Sequence, residues 1–204
     1  MYRHLFLEGP IREGKSTLLR KVLKPYMRHV GGFASQRLVL PDGTTRAFRI
    51  GPADKTGLTA PFTENITGGC DGVFRINSAD SAGSKFPGVF DTDGVRYLTD
   101  TAGKKIMLLD EIGGAEMLSE PFMAALYGLL AGGIPCIGVL KRNKNAAFMS
   151  RTAGYTGSIG QLNAELREKI INEYNGKILS FRRDDAGVEE ELEDFICGIF
   201  TTEQ

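Results

Sequence analysis

Gly9-Pro10-Ile11-Arg12-Glu13-Gly14-Lys15-Ser16 fits the pattern G-x-x-x-x-G-K-[ST], and its reading decides the fold. Ahead of it, Leu5-Phe6-Leu7 is a short apolar run of the kind that forms a buried strand. Behind it, Leu18, Leu19 and Val22 recur at helical spacing until Pro25 limits the helix. Strand, glycine loop, helix is the context in which the pattern cradles a polyphosphate, because consecutive backbone N–H groups and the positive end of the helix dipole converge on the anion. The same string also occurs as a plain strand-to-helix turn, and the flanking strand and helix weigh against that reading.

Register assigns the roles. Residues Gly9, Pro10, Ile11, Arg12, Glu13 and Gly14 wrap the phosphates, and Lys15 reaches the β- and γ-phosphates. Ser16 gives its hydroxyl to Mg²⁺, and Thr17 reaches the α-phosphate. Arg12 stands where many such loops carry a third glycine. If that position requires a left-handed backbone, the arginine costs about 1–2 kcal/mol; alternatively the loop tolerates it and Arg12 faces the phosphates.

About a hundred residues on, the apolar run Ile106-Met107-Leu108-Leu109 ends in Asp110-Glu111, the form of a Walker B segment. Side chains alternate along a strand, but at its C-terminal end the chain already turns, so both carboxylates can reach the crevice where open α/β sheets bind nucleotides. Asp110 is the expected magnesium ligand, and Glu111 the group that orients and deprotonates an attacking water. Apolar strands followed by Asp-Glu also occur as solvated strand ends; pairing with the phosphate loop favours a shared metal-nucleotide site.

Elsewhere the pattern is α/β. Ser119 is a candidate N-cap for a helix carrying Phe122, Leu126 and Leu129, and Cys136-Ile137-Gly138-Val139-Leu140 is a second buried strand, so a βαβ unit with a parallel sheet is expected. Phe33–Leu40 and Thr44–Ile50 flank Pro41-Asp42-Gly43 and read as an inserted β-hairpin. Residues 51–104 are punctuated by glycines and read as irregular loops with short elements. The polar stretch 143–160 reads as a mobile loop, with Arg151 as a possible cover for the phosphates. Leu162, Leu166 and Ile170 mark a helix, Ile178-Leu179 a strand, and Leu192, Phe195, Ile196 and Ile199 a C-terminal amphipathic helix.

The bulk composition bounds the partners. At 204 residues, a single domain spanning 1–204 is expected, with about 51–104 as an irregular insertion. Twenty-five Lys and Arg balance twenty-five Asp and Glu, so no basic excess points to DNA or RNA. Three cysteines without a C-x-x-C pair argue against disulfides or zinc, and the absence of a long apolar run argues against a membrane span. The expected setting is cytoplasmic. Cys136 and Cys197 read as core residues, and His4 and His29 have no ligand set around them. Phe33, Phe48, Phe62 and Phe74 include possible base-stacking rings, with core packing as the plainer reading.

Asp110-Glu111-Ile112-Gly113-Gly114-Ala115-Glu116-Met117 resembles the D-E-I-G-x-x-E segment of the small nucleoside-triphosphatase family known as cancer-related NTPases. Gly9–Leu18, Gly31-Gly32-Phe33 and Gly138-Val139-Leu140-Lys141-Arg142 are similar to its phosphate loop, the start of its hairpin and its following strand. The resemblance covers about residues 1–50 and 105–142. It implies a RecA-like P-loop NTPase fold, with a mainly parallel sheet flanked by helices and an inserted β-hairpin. It also implies slow, Mg²⁺-dependent hydrolysis of several nucleoside triphosphates, ATP or GTP among them. It supports Lys15, Ser16, Asp110 and Glu111 in the roles above and makes Lys141 and Arg142 candidates for neutralising the γ-phosphate. Glu116 is a further motif position. This sequence departs from the family at Arg12, in the 143–160 stretch, and at Arg182-Arg183-Asp184 in place of N-R-D.

Three functions fit these features: a nucleoside-triphosphate phosphohydrolase, a nucleotide or small-molecule kinase with Arg75 and Arg96 in an acceptor pocket, and a nucleotide-gated binding module.

Overall fold

A computed structural model describes residues 2–78, 83–142, 159–183 and 185–201. Strand β1 (His4–Glu8) leads into helix α1 (Lys15–Leu23), and a 3₁₀ turn carries Pro25 to β2 (Val30–Val39). Then follow β3 (Thr45–Pro52), β4 (Thr59–Pro61), β5 (Val73–Ile76) and β6 (Ser84–Lys85). A π-helical turn at Phe90–Gly94 opens α2 (Val95–Thr99). The rest is β7 (Ile106–Ile112), a 3₁₀ turn (Ala115–Leu118), α3 (Glu120–Ala131), β8 (Cys136–Leu140), α4 (Ile159–Asn172), β9 (Gly176–Ser180) and α5 (Ala186–Thr201). The segment read as a mobile loop, with Arg151, lies outside the described residues apart from Ile159 and Gly160.

All nine strands among the described residues join one sheet in the order β6-β5-β3-β2-β7-β8-β1-β9, with β4 alongside β2. From β2 to β9 the pairing is parallel, and β7-α3-β8 is the expected crossover unit. Alternation along the strands builds two cores. Leu5, Leu7, Leu108, Ile137 and Val139 face α1 and α5, while Phe6, Met107, Leu109 and Cys136 face α2, α3 and α4. Ser119 caps α3 as the sequence indicates, accepting the Phe122 N–H at 3.1 Å.

The structure extends two of the sequence readings and overturns a third. The hairpin expected around Pro41-Asp42-Gly43 is formed by β2 and β3, and β2 starts earlier, at Val30, so that Val30–Phe33 also pair in parallel with Ile106–Leu109. A Cβ on Gly32 would stand 2.2 Å from the Leu108 carbonyl oxygen, so glycine there permits close strand pairing. Residues 51–104, expected as irregular loops with short elements, contribute the short β4, β5, β6 and α2, of which β5 and β6 extend the sheet beyond β3. Cys197 is exposed, unlike buried Cys136, because it lies off the α5 face formed by Leu192, Phe195 and Ile196.

The histidine of β1 ties together the pieces that flank it. His4 is fully buried; Nδ1 accepts the Cys136 N–H at 3.0 Å and Nε2 lies 3.0 Å from the Leu130 carbonyl, an arrangement satisfied by the neutral ring with its hydrogen on Nε2. Burial pushes its pKa down to about 4, against the pull of the Leu130 carbonyl. Below about pH 6.5 the unfolded chain therefore binds a proton that the folded chain refuses. This contribution to stability is fully present above about pH 6.5 and is lost as pH falls toward 4, by an amount on the order of 3 kcal/mol. Urea unfolding at about pH 7 and about pH 4.5 should show the loss, and His4→Gln should remove that part of the pH dependence.

Candidate functional site

The chain leaves β1 at Glu8, whose carbonyl accepts the Phe181 N–H at 2.7 Å, and loops back into α1 through residues 9–14. Arg12 and Gly14 both adopt left-handed backbone, with φ of 66° and 98°. Gly14 does so without penalty, whereas Arg12 carries about 1–2 kcal/mol of strain, the first of the two alternatives its sequence position left open. Arg183 braces this conformation. Its Nη2 donates to the Arg12 carbonyl at 3.1 Å, and its N–H donates to Glu13 Oε2 at 3.2 Å.

Lys15 folds back over the loop, donating from Nζ to the carbonyls of Gly9 at 3.1 Å and Pro10 at 2.5 Å. Burial lowers its pKa, while Glu111, Glu13 and Asp110 pull the other way and the Arg142 charge adds to the lowering. Arg142 is exposed just past the end of β8. Thr17 is exposed to the cleft beyond Ser16.

Between β1 and β7 lies β8, so the loop and the acidic strand are not neighbours in the sheet. They meet above it: Ser16 Oγ donates to Asp110 Oδ1 at 2.7 Å. Asp110 is 2% exposed, and burial drives its pKa up to about 6. The Ser16 hydrogen bond and the charges of Arg20 and Lys141 oppose that rise, and Glu111 adds to it. Arg20 stands one helical turn beyond Ser16.

A one-residue bulge explains how adjacent acids share a crevice. Leu109 pairs with Gly138 but Ile112 with Leu140, so β7 spends one extra residue there, and Glu111 takes φ of 75°. Its side chain is 44% exposed, in contrast to that of Asp110. Lys141 holds the bulge, with Nζ 3.1 Å from the Glu111 carbonyl and 3.9 Å from its carboxylate. Burial would lower the Lys141 pKa, but the charges of Glu111, Glu116 and Asp110 outweigh it and raise the value, so the ammonium stays charged. Glu116 is buried and accepts the Gly114 N–H at 2.6 Å through Oε1, which fixes the turn that follows.

These groups line one side of a cleft of about 910 Å³. Ser35, Arg37 and Phe48 from β2 and β3 line the other. Arg96 does not join it, being bound to Asp93 at 2.6 Å and the Tyr97 hydroxyl at 3.0 Å, and Arg75 packs against Phe48. Among the described residues no group of three or more His, Cys, Asp or Glu converges on a point.

Three contributors were not legible as such. Ser35 Oγ donates to the Asp110 carbonyl at 3.0 Å. Asn163, fully buried on α4, donates from Nδ2 to the carbonyls of Gly113 at 2.9 Å and Lys141 at 3.1 Å, stapling the turn after Glu111 to the end of β8. Its signal was a polar residue on the apolar helix face made by Ile159, Leu166 and Ile170. Arg183 stands at the arginine of the family's N-R-D, a likeness that says nothing of its contact with the phosphate loop.

A mainly parallel sheet, helices on both faces, and a strand-loop-helix cradle set against an acidic strand two positions away define a P-loop NTPase. Residues 4–174 match the family model described as NTPase, and the chain belongs to that family. It is similar in structure to a human cancer-related nucleoside triphosphatase, with 18% identity, TM-score 0.58, and coverage of 99% of this chain and 100% of the other. It is similar also to THEP1 from the hyperthermophile Aquifex aeolicus, with 14% identity, TM-score 0.61, and coverage of 97% and 99%. Both likenesses concern the fold. No curated protein matches the sequence significantly.

Proposed function

We propose that this nucleoside triphosphatase is Mg²⁺-dependent and accepts several bases, converting NTP and water to NDP and phosphate. The observation that carries the reading is Glu111, presented to the cleft by a left-handed bulge directly after a buried Asp110 already bonded to Ser16. Ser16 and Asp110 are hard oxygen donors 2.7 Å apart, the type of set that would hold Mg²⁺ together with phosphate oxygens. When bound, the ion neutralises charge on the phosphates.

The chain's own groups do the rest. Lys15 exchanges the Gly9 and Pro10 carbonyls for phosphate oxygens, and the 9–14 backbone amides surround the chain of phosphates. Glu111 accepts a proton from a water held in line with the γ-phosphorus; the water oxygen bonds to phosphorus, the β–γ bridge breaks and NDP leaves. Lys141, fixed on Glu111, and Arg142, the residue after it, supply positive charge near the transferred group.

Phosphate release from ATP, GTP, CTP and UTP, with Mg²⁺ and under chelation, tests this. Release from all four, abolished by chelation, is the expected outcome. Conversion to NDP that requires an added hydroxyl acceptor, with the acceptor recovered phosphorylated and no phosphate released, would make the protein a kinase. Release that chelation leaves intact would remove magnesium from the scheme.

A further inference from the structure

We propose that Phe48, between Arg37 and Arg75, is the platform on which the nucleobase stacks; this rests on the nucleotide reading of the cleft. In the sheet register Arg37 on β2 faces Phe48 on β3, and Phe48 faces Arg75 on β5. Residues directly opposite one another project from the same face, so the three form one row, guanidinium, ring, guanidinium. The Arg75 Cζ stands 6.0 Å from the Phe48 ring centre.

The row is placed where a base must go. Arg37 and Phe48 line the same cleft as Lys15, Ser16 and Asp110. On β2, Ser35 touches the Asp110 carbonyl, and Arg37 lies two residues further out, about 7 Å along the same face. Phosphates on the loop thus leave the sugar to span that interval and the base to meet the row. The other rings considered from the sequence serve differently: Phe33 is buried against Phe122, Phe74 packs on Phe90, and Phe62 lies under Arg46.

The row reads faces, not edges. Gln36 accepts from Arg49 Nε at 2.6 Å and donates to the carbonyls of Gly57 and Thr59, and Asn77 donates from Nδ2 to the Thr45 carbonyl at 3.0 Å. These amide donors are committed to the fold. Aromatic and guanidinium planes stack on any base, since every base has a π-face, so all four bases are admitted, with the larger purines favoured.

The test compares ADP with pyrophosphate, both with Mg²⁺, binding to wild type, Phe48→Leu and Phe48→Tyr by calorimetry. Leucine keeps apolar bulk at a half-buried position and lacks a π-face; melting curves check the fold. Phe48→Leu should weaken ADP about tenfold, leave pyrophosphate unchanged, and be reversed by Phe48→Tyr. Unchanged ADP affinity, or equal weakening of both ligands, overturns the platform while leaving the phosphate cradle in place. Failure of wild type to bind pyrophosphate and ADP alike would overturn the cradle reading itself, and the platform with it.

Discussion

Glu111→Gln is expected to lower phosphate release at least about a hundredfold while nucleotide affinity stays near that of the wild type, because general-base transfer contributes roughly 10²–10⁴-fold. The substitution is nearly isosteric and touches little else. Lys141 binds the Glu111 backbone carbonyl at 3.1 Å and its carboxylate only at 3.9 Å, so the bulge keeps its main support. The left-handed backbone at φ 75° is as accessible to glutamine as to glutamate. What disappears is the exposed carboxylate that follows Asp110 at the Asp110–Ser16 pair. Single-turnover release together with equilibrium binding of the triphosphate separates the two effects. Retained turnover would relieve Glu111 of its role, and lost binding would make it a structural acid.

Lys15→Met is expected to damage both steps, with a loss in kcat/KM of at least about 10²-fold, the usual cost of removing one preorganised donor from a developing anion. Its ammonium rests on the Gly9 and Pro10 carbonyls, groups that a triphosphate oxygen out-competes once it enters the loop. Methionine fills a similar volume but leaves those carbonyls without their donor and the phosphates without the charge. Affinity should fall for ADP as well as ATP. A variant with unaltered affinity and turnover would show that the backbone amides alone hold the phosphates.

Much of this was open to reading along the chain. Local features mark the 9–16 loop, the strand ending in Asp110-Glu111, the Ser119 cap and the β7-α3-β8 crossover, because each depends on residues within a few positions of one another. The part played by Gly31-Gly32 is legible only from the partner strand, whose Leu108 carbonyl lies too close to Gly32 for a Cβ. Cys197 misled because one apolar neighbourhood in sequence covers both faces of a helix.

By itself, then, the sequence determined that a polyphosphate cradle and an acidic strand exist, since both are written in contiguous residues whose backbone geometry is local. Only the folded sheet decided that β8 separates them while Ser16 and Asp110 still touch, and that a bulge turns Glu111 into the cleft. It also decided that Asn163 staples the turn after Glu111 and that Arg37, Phe48 and Arg75 fall into one row. These are contacts between residues far apart in the chain, set by strand order and register, and neither is encoded by any short stretch of residues.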